Sequence, residues 1–183
     1  MVILRPTKKL RSHLPTVDMP GQSDGALGDW YVNRLVMARQ PLLLLVSSTS
    51  LLPIVLPARE VRSLPERLSA VVGARLRRLG VEAELIAAEL QSMRPVVTAA
   101  TVDRSVLGIL VDFAKAVPYY FETDTPAGKT LAGLEAWLEQ TPCHAGSGGD
   151  RVVFPNRKAP DLLRAKWMAN RPLQPTSGND SVV

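Results

Sequence analysis

One group of polar residues in the sequence has the types and spacing that a ligand site needs. Asp103, Arg104 and Ser105 are consecutive, and Asp112 follows seven residues after Ser105. On an α-helix this spacing brings Ser105 and Asp112 to nearly the same line, which we place at the rim of the buried face. The same residues also fit a structural role, in which Asp103 caps a helix and Gly108 allows close packing.

A second group lies near the first third of the chain. Asp29 and Asn33 flank the aromatic pair Trp30 and Tyr31, and could bind a polar ligand beside two rings. The structural alternative is equally simple, because Gly28 followed by Asp29 is typical of a turn and Trp30 is typical of a core.

A third group is basic. Six arginines fall within twenty residues, namely Arg59, Arg62, Arg67, Arg75, Arg77 and Arg78. Nucleic-acid binding needs such residues on one face, and Arg75, Arg77 and Arg78 are the candidates for it. At 100° per residue, however, the set is spread around a helix, which favours an ordinary solvated face.

Several other chemistries lack the residues they need. The segment ending in Gly128, Lys129 and Thr130 resembles the end of a phosphate-binding loop, but the required first glycine is Thr123. Cys143 and His144 are sequence neighbours, so we expect two exposed loop residues and not a nucleophile with its base. One cysteine and two histidines exclude a disulfide framework and nearly all structural zinc sites. We therefore expect no metal, no cofactor and no catalytic residue.

The elements that must position these residues begin with a sheet. Apolar strand patterns occupy residues near 2–5, 30–38, 42–47, 51–56 and 96–100, and the unbroken run at 42–46 is typical of a strand covered on both faces. Pro53 has no N–H to donate, which predicts an edge or a bulge there. The turn-length gaps among the middle three strands predict an antiparallel meander.

Helical periodicity dominates the rest. It predicts helices near 64–79, 82–93, 104–117 and 129–140, the first with a capping box at Ser63 and Glu66 and a stop at Gly80. Asp103 or Thr101 can cap the third helix, and Pro118 should kink or end it. The predicted fold class is α+β, with an antiparallel sheet of four or five strands and helices covering a face of it.

Length and charge set the remaining limits. The 183 residues suit one domain, which we place at residues 1–143. We expect 144–183 to be a flexible extension, with a short helix near 161–168 docked through Trp167. Deleting 172–183 should leave the thermal midpoint unchanged.

The net charge is +5, and sixteen of the 22 basic residues are arginine. No apolar run suits a membrane span or a signal peptide, so a soluble, cytoplasmic protein is expected.

Four sequence blocks together resemble a known family. They are residues 28–33 (GDWYVN), 51–60 (LLPIVLPARE), 76–81 (LRRLGV) and 101–108 (TVDRSVLG). In this order they are similar to a family of short bacterial proteins classed as a domain of unknown function, over about residues 1–143. Members of that family carry an Asn–Asp pair where this chain has Val111 and Asp112. The resemblance implies a fold and a set of residues, and no reaction.

These observations favour a binding or interaction module whose partner is an unidentified protein or an anionic ligand. One alternative is a nucleic-acid-binding accessory protein that uses Arg75, Arg77 and Arg78. The other is a small enzyme or ligand-binding protein whose site residues are Asp29, Asn33, Arg104, Ser105 and Asp112. Convergence of those five side chains on one pocket would favour the last alternative.

Overall fold

The computed structural model describes residues 1–37, 39–122, 129–144 and 152–169, apart from the side chain of Glu60. The strands are β1 (Val2–Pro6), β2 (Trp30–Met37), β3 (Gln40–Ser47), β4 (Pro53–Pro57), β5 (Val96–Thr98), β6 (Cys143–His144) and β7 (Val152–Val153). The helices are α1 (Leu64–Arg78), α2 (Ala83–Ser92), α3 (Arg104–Glu122), α4 (Leu131–Leu138) and α5 (Pro155–Met168). A single 3-10 turn, Ala58–Glu60, links β4 to the first helix.

The main sheet is mixed and has the strand order β4-β3-β2-β1-β5. The predicted meander is confirmed, since β2, β3 and β4 are antiparallel neighbours. The expectation of a wholly antiparallel sheet is wrong, because β1 runs parallel to both β2 and β5. The reason lies in the connections: more than twenty residues separate β1 from β2, and two helices precede β5, so each has the length a parallel crossover needs.

Helices cover both faces of this sheet, and not one face as predicted. Leu43 and Leu45 of β3 belong to the core under α1, α2 and α5, whereas Leu42, Leu44 and Val46 belong to the core under α3 and α4. Successive strand residues point to opposite faces. The unbroken apolar run of β3 is therefore required by two cores, as its pattern indicates.

The outer edge of β4 is closed by side chains. Pro53 and Pro57 have no N–H, and the N–H of Val55 between them donates to Glu135 Oε1 of α4 at 2.8 Å. Arg75 of α1 donates to the carbonyl of Pro53 at 3.3 Å. The edge predicted from Pro53 is confirmed, and its backbone groups are satisfied by helices from both faces.

The helix ends differ in part from their predictions. Gly80 has a φ of +73° and follows α1, as expected for a stop. Ser63 makes no side-chain cap hydrogen bond, so the predicted capping box does not form.

Asp103 caps α3 by accepting from the N–H groups of Ser105 (2.7 Å) and Val106 (3.3 Å). Helix α3 continues through the exposed Pro118 to Glu122, because Val117 and Tyr120 stay buried on its apolar stripe.

The last described helix enters the core. Helix α5 is longer than the predicted 161–168 and buries Ala159 and Leu163 completely against the α1–α2 side. It contributes more than the expected docking of Trp167, whose Nε1 donates to Glu89 at 2.9 Å. Residues 123–128, 145–151 and 170–183, including the start of the phosphate-loop-like segment and the 172–183 tail, lie outside the described residues. Within the described ranges, no helix is long and apolar enough to span a lipid bilayer.

Candidate functional site

Asp29 is held inside the fold by several partners. Its carboxylate accepts from Arg5 Nε and from Ser23 Oγ, the latter at 2.5 Å, and its own N–H donates to Ser48 Oγ at 2.8 Å. Arg5, only 7% exposed, also donates to the carbonyl of Ala100 at 2.5 Å. This carboxylate joins the loop before β2 to β1, and Arg5 extends the connection to the segment before α3.

Gly28 allows that loop to touch the turn between β3 and β4. Its φ is +69°, and a Cβ there would lie 2.4 Å from Ser48 Oγ and 2.9 Å from Thr49 Cγ2. Thr49 Oγ1 donates to the carbonyl of Ala26 at 2.8 Å. Gly28 and Asp29 therefore form part of a turn, and the position of Gly28 requires a residue without a side chain.

Tyr31 connects the two polar groups that the sequence singles out. It lies on β2, is 1% exposed, and its hydroxyl accepts from the N–H of Asp103 at 3.0 Å. Burial raises the pKa of Tyr31 above its ordinary 10, although the N–H of Asp103 and the charge of Arg5 oppose this. A phenol with a raised pKa is neutral near pH 7, so Tyr31 acts here as a hydrogen-bonding support for the start of α3.

The five predicted ligand residues do not line a shared pocket among those described below. Asn33 is half-buried on β2 and accepts from Thr7 Oγ1 at 3.0 Å. Arg104, Ser105 and Asp112 are exposed on α3, and Ser105 and Asp112 are separated by about 10 Å along the helix axis, from its rise per residue. Because Asp29 is bound to Arg5, the geometry favours a structural role for these five residues over a shared ligand site. An added Cβ at Gly108 meets no described atom within 4 Å, so this glycine does not serve close packing.

Two of the three arginines proposed for nucleic acid form ion pairs within the chain. Arg75 is 3% exposed, pairs with Glu139, and has its Nε 3.6 Å from Glu135 Oε2. Burial lowers the pKa of Arg75, and the charge of Glu135 opposes this. Arg78 Nη2 is 2.5 Å from Glu135 Oε2. Arg75 cannot reach a phosphate from this position, whereas Arg77 is exposed.

Cys143 is buried, contrary to the expectation of an exposed loop residue. It lies on β6 in the core under α3 and α4, and its Sγ is 3.4 Å from the carbonyl of Thr141. Burial, together with the nearby charge of Asp112, raises the pKa of Cys143 to about 11. A thiol of this kind is not an activated nucleophile. Among the described residues, no group of three or more His, Cys, Asp and Glu is arranged to hold a metal ion.

A pocket of about 250 Å³ opens at the end of the sheet beside the β2–β3 hairpin, and we call it the basic pocket. Its apolar floor is formed by Leu10, Pro41, Leu43, Ala58 and Val61. Three basic side chains, His13, Arg34 and Arg59, complete its described lining. Within the described residues, neither Arg34 nor Arg59 has an ion pair, and both side chains are exposed.

Sequence reasoning missed the basic pocket because its three basic side chains come from three separate segments. His13 lies in the loop after β1, Arg34 on β2 opposite Leu43, and Arg59 in the 3-10 turn. The available signal was Arg34, a charged residue in a strand whose other residues are mostly apolar. Nothing local indicates that His13 and Arg59 would meet it.

Of two further pockets, one adjoins the basic pocket and the other lies between α2 and α5. The adjoining pocket, of about 370 Å³, shares Pro41, Ala58 and Arg59 with the basic pocket and is completed by Gln40, Leu42, Pro57 and Leu131. A larger pocket of about 480 Å³ lies between α2 and α5, beside Glu82, Glu84 and Trp167. Glu82 is paired with Arg164 at 3.0 Å, so its charge is already compensated. Uncompensated charge distinguishes the basic pocket from this larger one.

Comparison with known proteins identifies the family. None of the curated proteins matches the chain significantly. The sequence profile described as Domain of unknown function (DUF6933) matches residues 3–158, which extends beyond the expected 143 into α5. The matched span holds the mixed sheet except Val2, the basic pocket, and the hydrogen bond that joins Tyr31 to Asp103. The chain belongs to this family of domains of unknown function.

Proposed function

We propose that this protein is a binding module that takes a small amphipathic anion in the basic pocket. The observation that carries the proposal is the pairing of two guanidinium groups, Arg34 and Arg59, with an apolar floor. Such a surface attracts a carboxylate or phosphate through charge and excludes water from its apolar part. We place the protein in the cytoplasm, where a free thiol such as that of Cys143 stays reduced.

The internal use of the other polar groups supports binding over catalysis. The carboxylates of Asp29, Asp103, Glu89 and Glu135 each accept hydrogen bonds from the chain itself. Carboxylates that accept hydrogen bonds from the chain in this way support the fold, and they are poor candidates for proton transfer to a substrate. The small-enzyme alternative based on Asp29 and the α3 residues is thereby disfavoured.

A titration with hexanoate tests the proposal. Backbone amide shifts in ¹H–¹⁵N spectra should move around His13, Arg34 and Arg59 as hexanoate is added, whereas neutral 1-hexanol should move them much less. Arg34→Gln should weaken hexanoate binding about tenfold or more, because a hydrogen bond to a charged group contributes about 1.5–3 kcal/mol. Arg77→Gln, a change at an exposed arginine outside the pocket, is the matched control and should have no effect. Equal shifts with hexanoate and 1-hexanol would show that the pocket does not select anions.

A further inference from the structure

The volumes of the two adjoining pockets limit what the site holds. At about 250 Å³, the basic pocket is smaller than the roughly 300–1,000 Å³ of sites that enclose a drug-sized ligand. It can take an anionic head and a short apolar group. A larger ligand must extend into the adjoining pocket of about 370 Å³.

The two pockets adjoin at the end of the β3–β4 ladder, where they share Pro41, Ala58 and Arg59. Leu42 and Pro57 are the last paired residues of the two strands. Beyond them, Pro41 continues β3 while Ala58 turns into the 3-10 helix, and both residues line both pockets. A ligand that contacts Arg59 therefore has apolar surface on either side of it.

The two pockets differ in charge. The basic pocket has three basic side chains, whereas Arg59, at the shared wall, is the single charged residue in the described lining of the adjoining pocket. The far side is formed by Leu42, Pro57 and the half-buried Leu131 at the start of α4. Charge is thus available at one end and apolar contact at the other.

From this arrangement, and resting on the proposed function, we infer that the ligand is an anion with an unbranched apolar tail, such as a medium-chain alkyl carboxylate. Its head contacts Arg34 and Arg59 in the basic pocket. Its tail crosses Pro41 and Ala58 and lies against Leu42 and Leu131. The length of the tail, and not the head alone, then sets the affinity.

The experiment is a calorimetric titration of the full chain with alkyl carboxylates from butyrate to decanoate, each below its micelle concentration. Affinity should rise about two- to fourfold per added methylene, up to a limiting length, because each buried methylene contributes about the same free energy. Leu131→Asn should flatten this dependence and leave butyrate affinity unchanged. Arg34→Gln should weaken all chain lengths by a similar factor. Val111→Asn, at an exposed apolar residue of α3, is the control, and it should change neither the affinity for butyrate nor the gain in affinity per methylene.

The outcomes separate the inference from the proposed function. If butyrate and decanoate bind equally, and both depend on Arg34, the tail inference is overturned and the anion-binding function stands. If no carboxylate binds, or if Arg34→Gln leaves the affinity unchanged, both the tail inference and the anion-binding function are overturned. Should Leu131→Asn unfold the chain, the milder Leu131→Ala must still reduce the gain per methylene. Binding to phosphatidylglycerol vesicles without binding to monomeric decanoate would assign the surface to a membrane and overturn the inference.

Discussion

At the scale of single residues, Arg75 shows how burial decides what a charged side chain does. In sequence it belongs to a run of arginines that suits a phosphate backbone. In the fold it lies under the β4 edge between Glu135 and Glu139, and donates to the carbonyl of Pro53. A buried guanidinium in this position neutralises Glu139 and shares Glu135 with Arg78.

We therefore expect Arg75→Gln to destabilise the protein by about 3–5 kcal/mol, because it leaves Glu139 buried without its partner. The measurement is the free energy of unfolding from urea denaturation. Arg77→Gln, two residues away and exposed, should change it by no more than about 0.5 kcal/mol. Similar values for the two variants would contradict the buried pairing.

Cys143 gives a prediction about pH. Its thiol loses its proton near pH 9 in the unfolded chain and near pH 11 in the folded protein, because burial raises its pKa. The stability that this shift contributes is complete below about pH 9 and is lost as the pH rises towards 11. Between pH 8 and 11 the free energy of unfolding of the wild type should therefore fall by roughly 2–3 kcal/mol relative to that of Cys143→Ala.

Measuring both proteins by urea denaturation at each pH removes the contributions of other titrating groups, which the two share. A constant difference between them across this pH range would mean that the thiol is not buried as the structure shows.

At the scale of elements, two glycines should respond to alanine in opposite ways. Gly28 packs against the turn between β3 and β4, and Gly108 lies on α3. Gly28→Ala should destabilise by more than about 1 kcal/mol, because φ is positive and the new Cβ would collide with Ser48 and Thr49. Gly108→Ala should stabilise by about 0.5–1 kcal/mol, because alanine is the better helix former and an added Cβ there meets no described atom. Thermal midpoints that move in opposite directions would confirm this; a loss at Gly108 would point to a partner on that face of α3.

Helix α5 gives the second prediction at this scale. Leu163 is fully buried against the α1–α2 side, so Leu163→Ala should cost about 2–5 kcal/mol. Met168→Ala, on the same helix but 48% exposed, should cost much less. Chemical denaturation of both variants tests whether α5 is part of the cooperative fold. If the Leu163 variant were as stable as the wild type, the helix would not contribute to folding.

At the scale of the whole molecule, the net charge of +5 predicts weak attraction to nucleic acid. With Arg75 buried and Arg78 paired, we expect at most non-specific binding, with micromolar or poorer affinity at about 50 mM salt. Fluorescence anisotropy with duplex and single-stranded DNA gives both the affinity and its salt slope, which is about −0.9 per phosphate neutralised on duplex DNA. A steep slope that Arg77→Gln flattens would instead restore the nucleic-acid alternative.

Much of the fold was predictable because its signals are local. The apolar run of β3, the turn-length gaps of the meander, Pro53 at an edge and Gly80 after α1 each act within a few residues. The role of the predicted site residues was harder to predict, because it depends on partners that are distant in the sequence. Asp29 and Asp103 have the residue types of a ligand site, but their partners, Arg5 and the first turn of α3, turn them into structural groups.

The sequence by itself determined approximately where the strands of the main sheet and the helices α1 to α4 lie, and that the middle of the sheet is an antiparallel meander. Only the tertiary structure decided that β1 runs parallel to its neighbours, that helices cover both faces, and that His13, Arg34 and Arg59 meet. The physical reason is distance along the chain. Periodicity and turn chemistry depend on neighbouring residues, whereas the direction of a long connection and the partner of a charge depend on how separate elements pack.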